Sequence, residues 1–149
     1  MPQHDIIEVF SVTFLCYAGS YLLLQRSPKK TFAPMQWTGL GGHVEPEELS
    51  SLHASALREV WDESGILEKD IQNFTLRRVL LTNRPDSSLG VILYFTGVLQ
   101  QFILPTCPEG QLFWLSSDQF YSVDIIENTR PVLDCLIDDM QSDHMESNP

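Results

Sequence analysis

The spacing of apolar residues along the chain predicts a sheet with two substantial helices. Runs rich in Val, Ile, Leu, Phe and Thr predict strands, and apolar residues at helical spacing predict helices. The predicted strands are 8–17, 21–26, 76–82, 90–99 and 111–115, with a short irregular strand at 37–44. The predicted helices are 51–64 and 128–140, and turns at 18–20 and 83–88 close two hairpins.

Both predicted helices carry residues that are typical of helix ends. Ser50 or Ser51 is the expected N-cap of the first helix, and Gly65 stands where a left-handed residue ends a helix. Thr129 is the expected N-cap of the second helix, with Pro131 in its first turn. The element boundaries therefore rest on end signals as well as on periodicity.

These elements favour one domain of the α/β or α+β class, with helices packed on a sheet. A chain of 149 residues suits one hydrophobic core. The strands do not alternate regularly with helices, which argues against a doubly wound fold. The predicted domain spans residues 1–140, and residues 141–149 are expected to form an acidic, flexible tail.

The formal net charge of -11 restricts the partners of this chain. Such a protein repels nucleic acid polymers and anionic membranes at long range, so neither is expected to bind. An anionic small molecule would need a local cluster of Lys and Arg or a bound metal ion.

The compartment follows from the cysteines and the N-terminus. No apolar run is long enough to span a membrane, and the first residues lack a secretory pattern. Cys16, Cys107 and Cys135 are odd in number and widely spaced, which argues against disulfides or a zinc site. A cytoplasmic protein is expected.

Three carboxylates on the first predicted helix are the strongest chemical feature. Glu59, Asp62 and Glu63 stand at i, i+3 and i+4, which places them on one helix face. Their mutual repulsion disfavours a bare helix, and dense oxygen ligands suit Mg²⁺ or Mn²⁺ rather than zinc. The alternative is a solvated acidic helix face without a ligand.

The residues around these acids favour the metal site. Gly39, Gly41 and Gly42 let the backbone approach a ligand closely. Arg58 can pair with Glu48 or Asp62 and fix the acids. The opposite helix face, formed by Ala54, Leu57 and Trp61, is expected to anchor the helix to the sheet.

This stretch resembles the Nudix box, G-x5-E-x7-R-E-U-x-E-E-x-G-U, in which U is a bulky aliphatic residue. Gly42 and Glu48 match its first half, and residues 58–66 match its second half. Two features depart from the pattern. Nine residues separate Glu48 from Arg58, so Glu45 or Glu47 is an alternative to Glu48, and Asp62 replaces the first of the paired glutamates.

The resemblance extends to residues 37–42, similar to the W-x-G-x-G-G approach of MutT-like members, and to 109–115, similar to an E-G-x-x-x-W segment. It implies the Nudix α/β/α sandwich, with a mixed sheet between helices. It also implies hydrolysis of a nucleoside diphosphate linkage with Mg²⁺ or Mn²⁺. The metal ligands so implied are Glu59, Glu63, Asp62 and the Gly41 carbonyl, and the catalytic acids are Glu59, Glu63 and Glu109.

The remaining candidates contact the substrate or hold the motif together. Arg26, Lys29, Lys30 and Arg84 are candidates for phosphate contact, Trp37 or Phe32 for base stacking, and Gly42 for close substrate approach. Glu48, Arg58 and Gly65 are expected to have structural roles in the motif.

Three functions stay open at this level. The first is cleavage of a normal or oxidised nucleoside triphosphate to the monophosphate and diphosphate. The second is hydrolysis of ADP-ribose, a nucleotide sugar or a dinucleoside polyphosphate, and the third is a non-catalytic nucleotide-binding module. A small nucleotide is the expected partner in each case, for a monomer or a homodimer.

Overall fold

The computed structural model describes the backbone of residues 6–106 and 110–147. Within these ranges the chain forms seven strands and two α-helices. The strands are β1 Ile7–Tyr17, β2 Ser20–Arg26, β3 Trp37–Thr38, β4 Leu40–His43, β5 Ile71–Asn83, β6 Leu89–Leu99 and β7 Gly110–Ser116. The helices are α1 Leu52–Ser64 and α2 Thr129–Ser147, and short 3-10 turns lie at Pro46–Glu48, Glu68–Asp70 and Ser117–Ser122.

The sheet is mixed, with the order β3-β2-β1-β6-β5. β1 and β6 run parallel over ten residue pairs, from Ile7–Leu89 to Cys16–Val98, and the other pairings are antiparallel. β4 pairs with β1 and β7 pairs with β2. The predicted strand at 37–44 is therefore two strands that separate at Gly39 and join different neighbours.

Successive residues of the central strands point to opposite layers. Phe14 and Tyr94 pack with Leu133 and Leu136 of α2. Leu15, which follows Phe14, packs instead with Val60 of α1, because alternate side chains of a strand point to opposite faces. The two helices thus cover the two faces of the sheet, which confirms the predicted α/β/α sandwich.

Two predicted boundaries differ from the structure by more than one residue. β5 begins at Ile71, five residues before the predicted start, and register shifts between Gln72 and Thr75 and between Leu76 and Arg78 break its alternation. α2 continues to Ser147, beyond the predicted end at 140. None of the helices in the described ranges is long and apolar enough to cross a membrane.

The ends of α1 agree with the prediction, but the face that packs does not. Gly65 has a φ of 74° and donates its N–H to the Trp61 carbonyl at 2.8 Å, closing the helix as a left-handed cap. Ser51 takes the N-cap position without a side-chain capping hydrogen bond. The buried residues of α1 are Ser55, Ala56, Val60 and Ser64.

The predicted anchoring face of α1 was therefore wrong. Trp61 is 52% exposed, Ala54 is exposed and Leu57 is only partly buried. α1 instead packs through small residues and the acid-bearing side of the helix. The reason is that it lies beside β4, whose consecutive glycines Gly41 and Gly42 leave room for a close approach but none for a tryptophan.

Candidate active site

The acidic face of α1 rests on the glycine strand β4. The Gly41 N–H donates a 2.6 Å hydrogen bond to Glu63 Oε1. A Cβ on Gly42 would lie 2.7 Å from Glu59 Oε1, closer than any side chain tolerates. Gly42 thus leaves the space that the Glu59 carboxylate occupies, whereas a Cβ on Gly41 would meet the Ser11 carbonyl oxygen of β1.

Glu59 is more enclosed than Asp62. Its side chain is 15% exposed, and its Oε1 lies 3.2 Å from Arg58 Nη1. Burial raises the pKa of Glu59, while the adjacent Arg58 guanidinium partly opposes that rise. A bound cation would favour the ionised form of this half-buried carboxylate.

Arg58 links the acids of the helix to the loop before it. Its Nε donates to Glu48 Oε2 at 2.8 Å and its Nη2 donates to Glu48 Oε1 at 2.9 Å, a two-pronged pair. Its Nη1 donates to Asp62 Oδ2 at 3.1 Å. The guanidinium holds the pKa of Glu48 at about 2. Arg58 therefore pairs with both partners that the sequence left open, Glu48 and Asp62.

The nine residues between Glu48 and Arg58 comprise 49–51 before α1 and 52–57 within it. Pro46–Glu48 forms a short 3-10 turn, and the Glu45 N–H donates to Glu48 Oε1 at 3.0 Å. Glu45 therefore helps to position Glu48 rather than replacing it. Despite the longer spacing, Glu48 still contacts Arg58.

The donor set suits a hard divalent cation, although the described side chains do not form a closed cage around one. Among the described residues, no three His, Cys, Asp or Glu side chains converge as a ready metal site. Asp62 is 51% exposed and directed to Arg58. Glu59 and Glu63 offer carboxylate oxygens beside the backbone of β4, which fits an ion such as Mg²⁺ that keeps several waters and binds substrate phosphates.

A cleft of about 670 Å³ opens from this acidic wall. Glu59, Asp62, Glu63, Gly41 and Gly42 line one side of it. Its other lining residues include the cationic Arg26, Lys30 and Arg84, the aromatic Phe10, Phe32 and Tyr94, the apolar Leu24, Ile92 and Ile126, and the amides of Asn83 and Asn128. Carboxylates, cations and an apolar wall therefore face one space.

Arg26 is fixed at the mouth of the cleft by the loop that follows β2. Its Nε donates to the Phe32 carbonyl at 3.0 Å, and its guanidinium lies 5.6 Å from the centre of the Phe32 ring. Phe32 itself is 66% exposed. The two predicted substrate contacts Arg26 and Phe32 are thus brought together.

Arg84 is the second fixed cation. Its Nε lies 3.1 Å from Glu8 Oε2, and its guanidinium lies 4.8 Å from the centre of the Phe10 ring. The Phe10 ring also packs against His43 at 4.4 Å. Arg84 is held on a cleft wall by one ion pair and one cation–π contact.

Two other predicted substrate contacts lie elsewhere. Trp37 packs on the core beneath α2 and lies 5.2 Å from the Phe113 ring, outside the lining of the cleft. Lys29 lines a neighbouring depression of about 780 Å³, which shares Arg26 and Lys30 with the cleft. Glu109, the predicted catalytic acid of the later loop, lies outside the described residues.

Sequence reasoning missed several residues on the far wall of the cleft. Asn83 ends β5, Asn128 directly precedes α2, and Thr129 Oγ1 lies 3.4 Å from the buried Tyr94 hydroxyl. Their shared signal is weak, since each is a polar residue at the end of an element. Only the folded chain shows that those ends line the same cleft as the acids of α1.

Comparison with known proteins identifies the family of this chain. The model of the NUDIX domain family matches residues 9–135. A 45-residue stretch is 44% identical to a Bos taurus protein described as m7GpppN-mRNA hydrolase NUDT17. That match covers 30% of this chain and 14% of the bovine protein.

Solved structures share the fold at low sequence identity. The NUDIX domain of Shewanella oneidensis NrtR, complexed with ADP ribose, has a TM-score of 0.71 at 14% identity, covering 93% of this chain and 90% of that one. A MutT protein from Bacillus halodurans has a TM-score of 0.65 at 21% identity, covering 84% and 78%. The family model spans most of the sequence and both structural matches span most of the fold, so the chain belongs to the Nudix hydrolase family.

Proposed function

We propose that this protein hydrolyses the diphosphate linkage of a nucleoside triphosphate, with Mg²⁺ or Mn²⁺, to give the monophosphate and diphosphate. One observation carries the proposal. A single cleft joins the acidic wall of α1 to two fixed arginines and to an apolar wall with amide side chains. A nucleotide has the matching parts, because its polyphosphate needs cations and its base needs a flat, partly apolar pocket with hydrogen-bonding groups.

The acids of α1 hold the cation in this proposal. Glu59 and Glu63 are the main ligands, with Asp62 as a further ligand that acts through water and the Gly41 carbonyl as a backbone ligand. The bound ion supplies charge neutralisation at the phosphate oxygens and lowers the pKa of a water molecule. The Gly41 N–H orients Glu63 by its 2.6 Å hydrogen bond, and Arg58 keeps Glu59 and Asp62 from repelling each other.

The cations and the far wall fix the substrate. Arg26, held by Phe32, and Arg84, held by Glu8, supply positive charge to phosphate groups at two sides of the cleft. Phe32 is exposed, and the ring face that Arg26 does not cover can stack on a base. Asn128 and Asn83 offer amide donors and acceptors that can read base edges.

A longer substrate is the second candidate. The depression lined by Lys29 adjoins the cleft through Arg26 and Lys30 and could hold a group beyond the phosphate bridge. ADP-ribose, nucleotide sugars and dinucleoside polyphosphates have a sugar or a second nucleoside there, and a capped RNA end has the RNA. The stretch of likeness to an mRNA cap hydrolase is a further reason to test this class.

A panel of substrates with Mg²⁺ tests both candidates. It contains normal and oxidised triphosphates, ADP-ribose, a nucleotide sugar, a dinucleoside polyphosphate and a cap analogue. Each is incubated with the wild-type protein, with Glu63→Gln, and with Glu68→Gln as a control. Glu68 is an exposed acid on a 3-10 turn outside the cleft lining.

We expect the wild-type protein to release diphosphate rapidly from one triphosphate. Glu63→Gln should lower that rate by at least about 100-fold, because substituting even a residue that hydrogen-bonds to a metal ligand lowers activity by about 10–100-fold. Glu68→Gln should match the wild type. Preference for an extended substrate would favour the second candidate. Binding of a nucleotide without turnover of any compound would instead favour a non-catalytic module.

A further inference from the structure

Ser11 places a buried hydroxyl behind the acidic wall. It lies on β1, is 1% exposed and lines the cleft. Its Oγ has no hydrogen-bond partner among the described residues. An unsatisfied buried hydroxyl costs about 1–3 kcal/mol, so this residue is poorly explained by the packing of the free protein.

The strand register shows what the Ser11 side chain faces. Ser11 is the direct cross-strand partner of Gly42. Directly paired residues project to the same face, with Cβ positions about 4.5–5.5 Å apart. The Cβ direction of Gly42 meets the Glu59 carboxylate at 2.7–2.8 Å. The Ser11 hydroxyl and the Glu59 carboxylate therefore lie on the same side of the sheet, at neighbouring positions.

We propose that Ser11 is a positioning residue for Glu59, and that an ordered water joins the Ser11 hydroxyl to the Glu59 carboxylate when the site holds its cation. The proposal rests on the metal site proposed above. The hydroxyl donates to the water, and the water donates to the carboxylate oxygen turned away from the cation. Such partners orient a ligand carboxylate before the ion arrives.

Thr13 offers a matched control two residues along the same strand face. It is 0% exposed, and its Oγ1 likewise lacks a hydrogen-bond partner among the described residues. It pairs with Leu40, in the apolar cluster beneath α1, and is absent from the lining of the cleft. Ser11→Ala and Thr13→Val therefore each remove one unpartnered buried hydroxyl, but only the first lies beside Glu59.

The test is Mn²⁺ affinity, measured by the electron paramagnetic resonance signal of free Mn²⁺ without any nucleotide. Ser11→Ala should raise the Kd for Mn²⁺ by about 10-fold, the usual effect of losing a partner of a ligand, and Thr13→Val should leave it within about twofold. The melting temperature without metal should not fall in Ser11→Ala, because an unpartnered hydroxyl contributes no hydrogen bond to the free fold.

Equal Kd values for Ser11→Ala and Thr13→Val would overturn the role of Ser11. A lower metal-free melting temperature in Ser11→Ala, with an unchanged Kd, would show a purely structural hydroxyl and would also overturn it. Wild-type protein that binds Mn²⁺ no better than Glu63→Gln would instead refute the metal site on which both proposals depend.

Discussion

The Gly41 N–H donates a 2.6 Å hydrogen bond to Glu63 Oε1, joining strand β4 to the acidic face of α1 across 22 positions of sequence. Its neighbour Gly42 lies directly beneath the Glu59 carboxylate. Gly41 therefore binds one carboxylate through its N–H, and Gly42 leaves the space for the other. Their role is in packing as well as in backbone freedom.

Gly42→Ala should reduce activity more than stability. The new Cβ would meet Glu59 carboxylate atoms at 2.7–2.8 Å, and the flexible end of that side chain would move away. A displacement of about 1 Å in a reacting group can cost about 100-fold in rate. We expect a loss of kcat of that order, with a melting temperature close to wild type.

Gly65→Ala is the matching control, since it should show the opposite pattern. A Cβ there meets no atom closer than 3.5 Å, but φ is 74°. The left-handed conformation costs a non-glycine residue about 1–2 kcal/mol. Thermal unfolding should show that loss while kcat stays near wild type. A Gly42→Ala protein with full activity would show that Glu59 does not need the space left by Gly42.

Arg58→Ala should both destabilise the junction of loop and helix and slow the reaction. It removes the two-pronged bond to Glu48 and the contacts to Glu59 and Asp62, leaving acids without compensation. Because the arginine side chain is 39% exposed, we expect a modest loss of stability, about 1 kcal/mol. Arg58→Lys should recover charge but not the paired geometry.

Arg78→Ala provides the comparison for Arg58→Ala. Arg78 pairs with Asp139 of α2 at 2.9 Å and lies outside the cleft lining. Arg78→Ala should lower the melting temperature by about as much as Arg58→Ala does, and it should leave kcat/KM unchanged. If Arg58→Ala and Arg78→Ala have the same effect on kcat/KM, the arginine of the motif has no special link to the acids.

The ion pair of Glu48 predicts a pH dependence of stability. Arg58 lowers the pKa of Glu48 from an ordinary 4.5 to about 2 in the folded protein. A lowered pKa in the folded state stabilises the protein above the ordinary value, and that stabilisation is lost as pH falls from about 4.5 toward about 2. The free energy of unfolding should therefore fall with acidification across this window.

Glu48→Gln isolates this contribution. At pH 6 the variant should be less stable than wild type in urea unfolding, and the difference should shrink between pH 4.5 and pH 2.5. A difference that stays constant with pH would mean that the Glu48–Arg58 pair is not the source of the dependence.

Local signals explain what the sequence revealed of α1 and its motif. Gly65 caps the helix where predicted, and the spacing of Glu59, Asp62 and Glu63 places them along one side. These features depend on residues within one or two turns of each other. The sequence also identified Glu48 but left Glu45 and Glu47 as alternatives, because only the folded loop determines which glutamate contacts Arg58.

Long-range geometry explains what the sequence did not reveal. The size of Trp61 suggested burial, but the glycines of β4 bring α1 so close that small residues such as Ala56 and Ser64 occupy the interface. Ser11 and Asn128 join the cleft only through strand register and the order of the sheet. No local pattern distinguishes them from ordinary strand and loop residues.

Asp62→Glu tests the departure from the family motif. Asp62 is 51% exposed and is held by Arg58 Nη1 at 3.1 Å, an i, i+4 pair that a longer carboxylate can still form. The added methylene reaches further toward Glu59 and Glu63 without entering the core. We expect kcat within about threefold of wild type, or higher, because an outer ligand tolerates changes in reach better than changes in charge.

Asp62→Asn is the informative partner of Asp62→Glu, because it keeps the size and removes the charge. It should weaken Mn²⁺ binding by about 10-fold, as expected for loss of an outer ligand, while Asp62→Glu should leave binding unchanged or tighter. A large loss of kcat in Asp62→Glu, with Mn²⁺ binding intact, would show that the shorter side chain is needed, since the longer one would then intrude on the reacting phosphate.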